Sequence, residues 1–187
     1  MKKPSPILVL LLVFAIGFAI YLKVSNPHKK YSQQAFWETA TLADVTSIPE
    51  EALKPGNKNG PVLMWAATTT KDPAIISALV ARGASVNERD AIFSGTPLSA
   101  AAGYSQTPAV IDELVRLGAE IDSVVGTQDK TPLIIAAEIN PHTPILDALV
   151  KNGASTTYQD KTGRNAHAAA IKFGTPEAVE ALRRLSK

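Results

Sequence analysis

The sequence predicts an all-α solenoid of helix-turn-helix-loop units, about four to five including its caps, behind an N-terminal transmembrane helix. Three observations predict it. Gly83, Gly118 and Gly153 stand 35 residues apart, as do the pairs Ala66-Ala67, Ala101-Ala102 and Ala136-Ala137. Thr-Pro or Asp-Pro steps recur at Asp72-Pro73, Thr96-Pro97, Thr107-Pro108, Thr131-Pro132, Thr143-Pro144 and Thr175-Pro176. Between these steps and the glycines, apolar side chains keep a helical spacing. A fixed period of this length means stacked units, none of which can bury its apolar face alone.

Residues 1–30 differ from the rest. Lys2 and Lys3 precede Ile7 to Leu22, an uncharged apolar run that would span about 25 Å as a helix at ~1.5 Å per residue. Flanking Tyr21 and Lys23 can snorkel to make up the remaining thickness of a hydrocarbon core. Two readings stand, an uncleaved signal anchor and a cleaved signal peptide. The small-residue steps Ala15-Ile16-Gly17 and Gly17-Phe18-Ala19 lie inside the apolar run with no polar stretch before them, which favours the anchor. The short basic N-tail orients the amino terminus inward.

Residues 31–59 read as a degenerate N-terminal cap. Ser32 is expected to cap a helix through Ala40, Asp44 to Ile48 to form the stub of another, and Pro49 to Gly60 to be an irregular loop. Phe36 and Trp37 would cover the first full repeat. Full repeats follow at 60–94, 95–130 and 131–164. In the latter two, Thr96-Pro97 and Thr131-Pro132 supply an N-cap hydroxyl and a first residue with helical φ. Leu98, Ala101 and Ala102, then Leu133, Ala136 and Ala137, share one face of a short first helix, and the alanines admit a close neighbour.

The second helices carry Ile75, Ile76, Leu79 and Val80, then Val110, Ile111, Leu114 and Val115, then Ile145, Leu146, Leu149 and Val150. Between these pairs lie Ser77-Ala78, Asp112-Glu113 and Asp147-Ala148, an outer side that is acidic in two of the three units. A left-handed C′ glycine then ends each helix. Residues 165–187 form the C-terminal cap repeat, with Arg183, Arg184 and Lys187 giving the terminus a wet face.

Thr-Pro-Leu, Ala-Ala, an apolar second helix and Gly-Ala-x-x-Asn/Asp, recurring in register over residues 60–164, resemble the ankyrin repeat. The family usually has His after Thr-Pro-Leu. Here Met64, Ser99 and Ile134 stand in those places, so the hydrogen bonds that His makes between loops are expected to be missing and inter-repeat rigidity weakened.

Composition excludes several chemistries. The chain has no cysteine, so disulfides, thiolate nucleophiles, lipoprotein anchoring and Cys metal sites are ruled out. The net charge of +2 misleads, because residues 1–30 hold five Lys and no acid, leaving 14 basic against 17 acidic residues beyond them. No basic face or stripe suits nucleic acid. His28, His142 and His167 make no pair with ligand spacing. Glu138 and His142 are four apart, but Pro141 between them argues for a loop, and adjacent Asp112 and Glu113 point about 100° apart on a helix. Hydrolase, phosphate-loop and zinc-protease motifs are absent. No enzyme, cofactor, metal or small-molecule substrate is expected.

What remains is a surface. In a stack of this type the loops and first helices form a concave face. Its large side chains are Arg89, Ile92 and Phe93 in the first loop, Val124 and Val125 in the second, Tyr158 and Arg164 in the third, and Trp65 and Tyr104 on or after first helices. Aromatic and Arg side chains there would contact a protein partner. The alternative stays open that Trp65 is core and that Ile92 and Phe93 pack on the neighbouring loop. The resemblance implies a non-catalytic interaction module, anchored in the inner membrane by a single pass, with residues 31–187 in the periplasm, binding or inhibiting a partner protein. Related bacterial proteins imply two variants, an immunity protein neutralising a toxic effector and a helper of a stress enzyme. A structural subunit of an envelope complex is a further class.

Overall fold

The computed structural model describes residues 29–56, 61–91 and 94–186. The N-terminal apolar segment, Ile92 and Phe93 lie outside them. After a 3₁₀ turn at Lys29–Ser32 come α1 (Gln34–Thr39), α2 (Leu42–Thr46) and α3 (Glu50–Leu53). Four helix pairs follow: α4 (Val62–Thr69) with α5 (Pro73–Ala81), α6 (Pro97–Tyr104) with α7 (Pro108–Arg116), α8 (Pro132–Ile139) with α9 (Pro144–Lys151), and α10 (Ala166–Phe173) with α11 (Pro176–Leu185). First helices α4, α6, α8 and α10 pack in succession, and second helices α5, α7, α9 and α11 do the same in a layer behind them. Apart from one antiparallel bridge, Val125 with Lys130, the described residues form helices, turns and loops.

The local signals act as expected. Thr96 Oγ1 accepts from Ser99 N at 3.2 Å, Thr131 Oγ1 from Ile134 N at 3.4 Å, and Asn165 Oδ1 takes the same role toward Ala168 N at 2.9 Å. Gly83, Gly118 and Gly153 sit at φ +100°, +95° and +93°. Around each, the next N–H reaches back to the third-last helical carbonyl, Ala84 to Leu79, Ala119 to Leu114 and Ala154 to Leu149, at 2.9 to 3.0 Å. Ala101, Ala102, Ala136, Ala137, Ala169 and Ala170 are all buried. Small residues let the first helices close up. A Cβ on Gly103 would stand 3.1 Å from Ile139 Cδ1 and 3.3 Å from Ile135 Cγ2 on α8.

Several expectations are corrected. Ser32 is buried at the end of the 3₁₀ turn and does not cap α1, whose N-cap Gln33 makes no side-chain bond. The stub helix begins at Leu42, because Thr41 and Asp44 form a reciprocal capping box. The segment after Pro49 contains α3, which buries Ala52 and Leu53 against the array. No closing glycine follows α2. Instead Arg82, at the end of α5, donates to the carbonyls of Val45 and, at 2.7 Å, Ile48. Trp37 is fully buried with its indole N–H on Tyr31 O at 2.8 Å, and α1 covers α4.

On the second helices the stripe is narrower than the apolar pattern. Val80, Val115 and Val150 are half-buried, while Ala148 on the nominal outer side is buried at 5% exposure. The acidic side is stitched to neighbouring repeats: Asp112 accepts from Asn152 at 2.6 Å and Lys151 at 3.3 Å, and Asp147 pairs with Arg184 at 2.9 Å. Glu113 is held by Arg116 at 2.6 Å and by the Ser77 hydroxyl. Those bonds, Arg116 first, hold its carboxyl down at about 2 despite partial burial.

Ties between repeats are made at positions other than Met64, Ser99 and Ile134. Asn87 bonds Gly118 O at 2.9 Å and Glu120 N at 3.0 Å, and Asp122, one period later, accepts from Ser155 N at 3.0 Å. Asn140 ties α8 back to the carbonyls of Ala102 and Ser105 at 2.8 and 3.0 Å. Ser99 closes its own cap by accepting from Thr96 N at 2.8 Å. Inter-repeat ties are thus made by loop Asn and Asp side chains. Among the described residues no helix is long and apolar enough to cross a membrane.

Candidate protein-binding face

Each loop folds as a small hairpin closed at equivalent places. Asp90 N bonds Gly95 O at 2.9 Å, Val125 and Lys130 exchange both bonds at 3.0 and 3.1 Å, and Asp160 N bonds Arg164 O at 2.9 Å. Left-handed residues stand near each turn: Ser94 at φ 54°, Gly126 and Asp129 at 70° and 54°, and Gly163 at 76°. The third loop is built around Asp160, whose carboxylate accepts from Thr162 N (2.8 Å), Thr162 Oγ1 (2.6 Å), Arg164 N (3.1 Å) and Arg164 Nη2 (3.2 Å). Burial alone would push that carboxyl up, but these bonds together hold it at about 2.

These networks decide what the sequence-derived candidates do. Arg89 is exposed, yet Nη1 donates to Ser94 O at 3.0 Å and to Val124 O in the next loop at 2.8 Å. Tyr158 is half-buried and its hydroxyl donates to Asp129 O at 3.1 Å, again across a loop boundary. Arg164 keeps 15% side-chain exposure, pairs with Asp160, and lies 4.9 Å over the Phe173 ring. Val125 is buried at 8%, a correction to its place on the surface, and its backbone is held in the two-way bridge to Lys130. Val124 is half-buried and contributes its carbonyl to Arg89. Trp65 is half-buried against the core. Arg89 and Tyr158 thus join successive loops.

Tyr104 remains as an exposed aromatic at 37%. Loss of solvation pushes its phenol up to about 12, so it stays a hydrogen-bond donor throughout the physiological range. Thr69 and Ile139 stand 35 residues before and after it, and Phe173 follows Ile139 by 34; all three are half-buried at the ends of first helices. Lys172 precedes Phe173 and lies 5.2 Å from its ring centroid. Glu138, preceding Ile139, is bound by Lys130 at 2.6 Å with side-chain exposures of 5% and 20%. Its other oxygen, Oε1, is buried with no hydrogen-bond partner among the described residues. Ile139, Phe173, Lys172 and the Lys130–Glu138 pair were missed in the sequence, although counting 35 residues on from Tyr104 finds Ile139, and a second such count lands one residue past Phe173.

The second helices form the layer behind the first helices that carry this row. Among the described residues no group of three or more His, Asp or Glu side chains is gathered as metal ligands would be. Helix α8 stops at Ile139, so His142 falls in the following loop, away from Glu138 in helical register. A family model described as ankyrin repeats (3 copies) matches residues 63–160 and 100–186. The chain belongs to the ankyrin-repeat family. No curated protein matches it. Ankyrin repeats generally mediate protein–protein interaction, and the ankyrin array here fits a non-catalytic interaction module.

Proposed function

We propose that the chain is a membrane-anchored binding module whose ankyrin array holds or blocks a partner protein in the periplasm. The observation that carries this reading is the row Tyr104, Ile139 and Phe173 on three successive first helices, flanked by Lys172 and by the buried Lys130–Glu138 pair. Aromatic and aliphatic side chains at repeated positions offer a continuous strip for burial. The run Ile7 to Leu22 supports the anchor. The alternatives are an immunity protein neutralising a toxic effector and a structural subunit of an envelope complex.

The test captures partners from membranes with the intact full-length chain and with Tyr104→Ala/Lys172→Glu. Capture should weaken by about tenfold or more in the double variant, since one well-packed aromatic contributes about 2 kcal/mol. Circular dichroism checks folding. Unchanged capture by a folded double variant rejects this face. Intact mass tests the anchor, which a mature chain beginning at Phe18 or Ile20 would overturn, and protease added to spheroplasts should degrade the array if it is periplasmic.

A further inference from the structure

Asn152 and Gly153 close α9. Asn-Gly is the backbone step at which a side-chain amide is most open to attack by the next nitrogen, because glycine puts no side chain in the way. The places before the other two closing glycines hold Arg82 and Leu117, so among the full repeats the third alone carries an amide there. The place itself is a seam. Arg82 reaches back to the carbonyls of Val45 and Ile48, and Asn152 reaches back to Asp112 on α7.

The closed seam holds the amide out of reaction. Asn152 Nδ2 donates to Asp112 Oδ1 at 2.6 Å and to Ala148 O at 2.8 Å, which uses both of its hydrogens. The Gly153 N–H is engaged by Val150 O at 2.9 Å. At ψ 9° on Asn152 the Gly153 nitrogen is turned away from Cβ, whereas closing a five-membered ring requires the two to eclipse. These restraints lapse together when the end of α9 comes away from α7.

The chemistry that follows needs water alone. The Gly153 nitrogen bonds to Asn152 Cγ, the Cγ–Nδ2 bond breaks, and the Gly153 N–H proton leaves with Nδ2 as ammonia. Water then opens the cyclic imide at either carbonyl, returning a proton to the Gly153 nitrogen and leaving an aspartate or an isoaspartate. The new carboxylate has no proton to give, so it meets Asp112 Oδ1 and Ala148 O as a third acceptor, and Asp112 as a like charge. It also stands at the C-terminal end of α9, where the helix dipole opposes a negative group. Exposed Lys151, 3.3 Å from Asp112, offsets this only in part.

We infer that Asn152 is a self-modification site, whose deamidation is gated by opening of the seam between α7 and α9 and then keeps that seam from closing again.

The full-length chain in mild detergent is held at mildly alkaline pH, folded and in urea, and amide loss at Asn152 is followed by mass spectrometry of its peptides. The folded chain should lose the amide at least about tenfold more slowly than the unfolded one, since reaction waits on local opening. Asp112→Ala frees the amide and should speed the folded rate by about threefold or more. Asn152→Asp, which installs the product, should lower Tm by about 3 °C or more, and adding Asp112→Asn should restore most of the loss by exchanging amide and carboxylate across the seam. Equal rates in the folded and unfolded chains would overturn the inference. A folded rate indifferent to Asp112→Ala would do the same, as would an Asn152→Asp chain that melts like the native one or that Asp112→Asn fails to rescue.

Discussion

Replacing Asp160 with Asn tests whether a single buried carboxylate organises the third loop. The side chain is fully buried and accepts four hydrogen bonds, two of them from Arg164, whose guanidinium is itself only 15% exposed. Its carboxyl sits at about 2 against an ordinary 3.8, a difference of nearly two units. At about 1.4 kcal/mol per unit this amounts to about 2 kcal/mol of folding stability. A depressed folded value means that the contribution is complete above the unfolded value and vanishes as pH falls through the folded one. The affected window is therefore between about pH 4 and pH 2.

Asp160→Asn keeps the shape but resembles the protonated state, so it should lose about 2 kcal/mol at pH 7. The deficit should shrink as pH falls toward 2, where the native carboxyl also takes up its proton. Urea unfolding of both proteins in mild detergent, followed by circular dichroism across that range, gives the difference directly. A deficit at pH 7 below about 0.5 kcal/mol would refute the reasoning, because bonds to a buried charge would then be contributing no more than a surface contact. A deficit that persists unchanged at pH 2 would refute it too, since the effect would come from shape or amide geometry.

Three further substitutions probe the stack. Gly174→Ala would place its Cβ 2.2 Å from Ala137 O and 2.9 Å from Ala170 Cα, so α8 and α10 must separate, at a cost of about 3 kcal/mol or more by thermal melting. Leu114→Ala, at a fully buried position, should cost about 2 to 5 kcal/mol, and half-buried Val115→Ala clearly less; equal losses would place the helix face wrongly. Ser94→Gly relieves a left-handed non-glycine residue at φ 54° and should leave stability unchanged or raise it by up to about 1 kcal/mol, whereas a loss would mean that the Ser side chain is needed.

The sequence by itself determined the repeat, its phase and both helices of each full unit. Those signals act within a few residues: Pro108 presets φ at a helix start, Thr96 caps three residues ahead, and Gly118 at φ +95° lets Ala119 reach back to Leu114. Only the tertiary structure decided the ends and the face. Arg82 closes α2 across more than thirty residues, which no local pattern encodes. Val125, Tyr158 and Arg164 look like surface residues in a loop, but each is drawn inward by a bond whose geometry depends on how that loop folds or how close the neighbouring loop stands. Ile171 looks like one more apolar residue of a helix, and it is exposed because no first helix follows to cover it among the described residues. Periodicity places a residue in its unit; the spacing between units decides whether its side chain joins the stack or faces a partner.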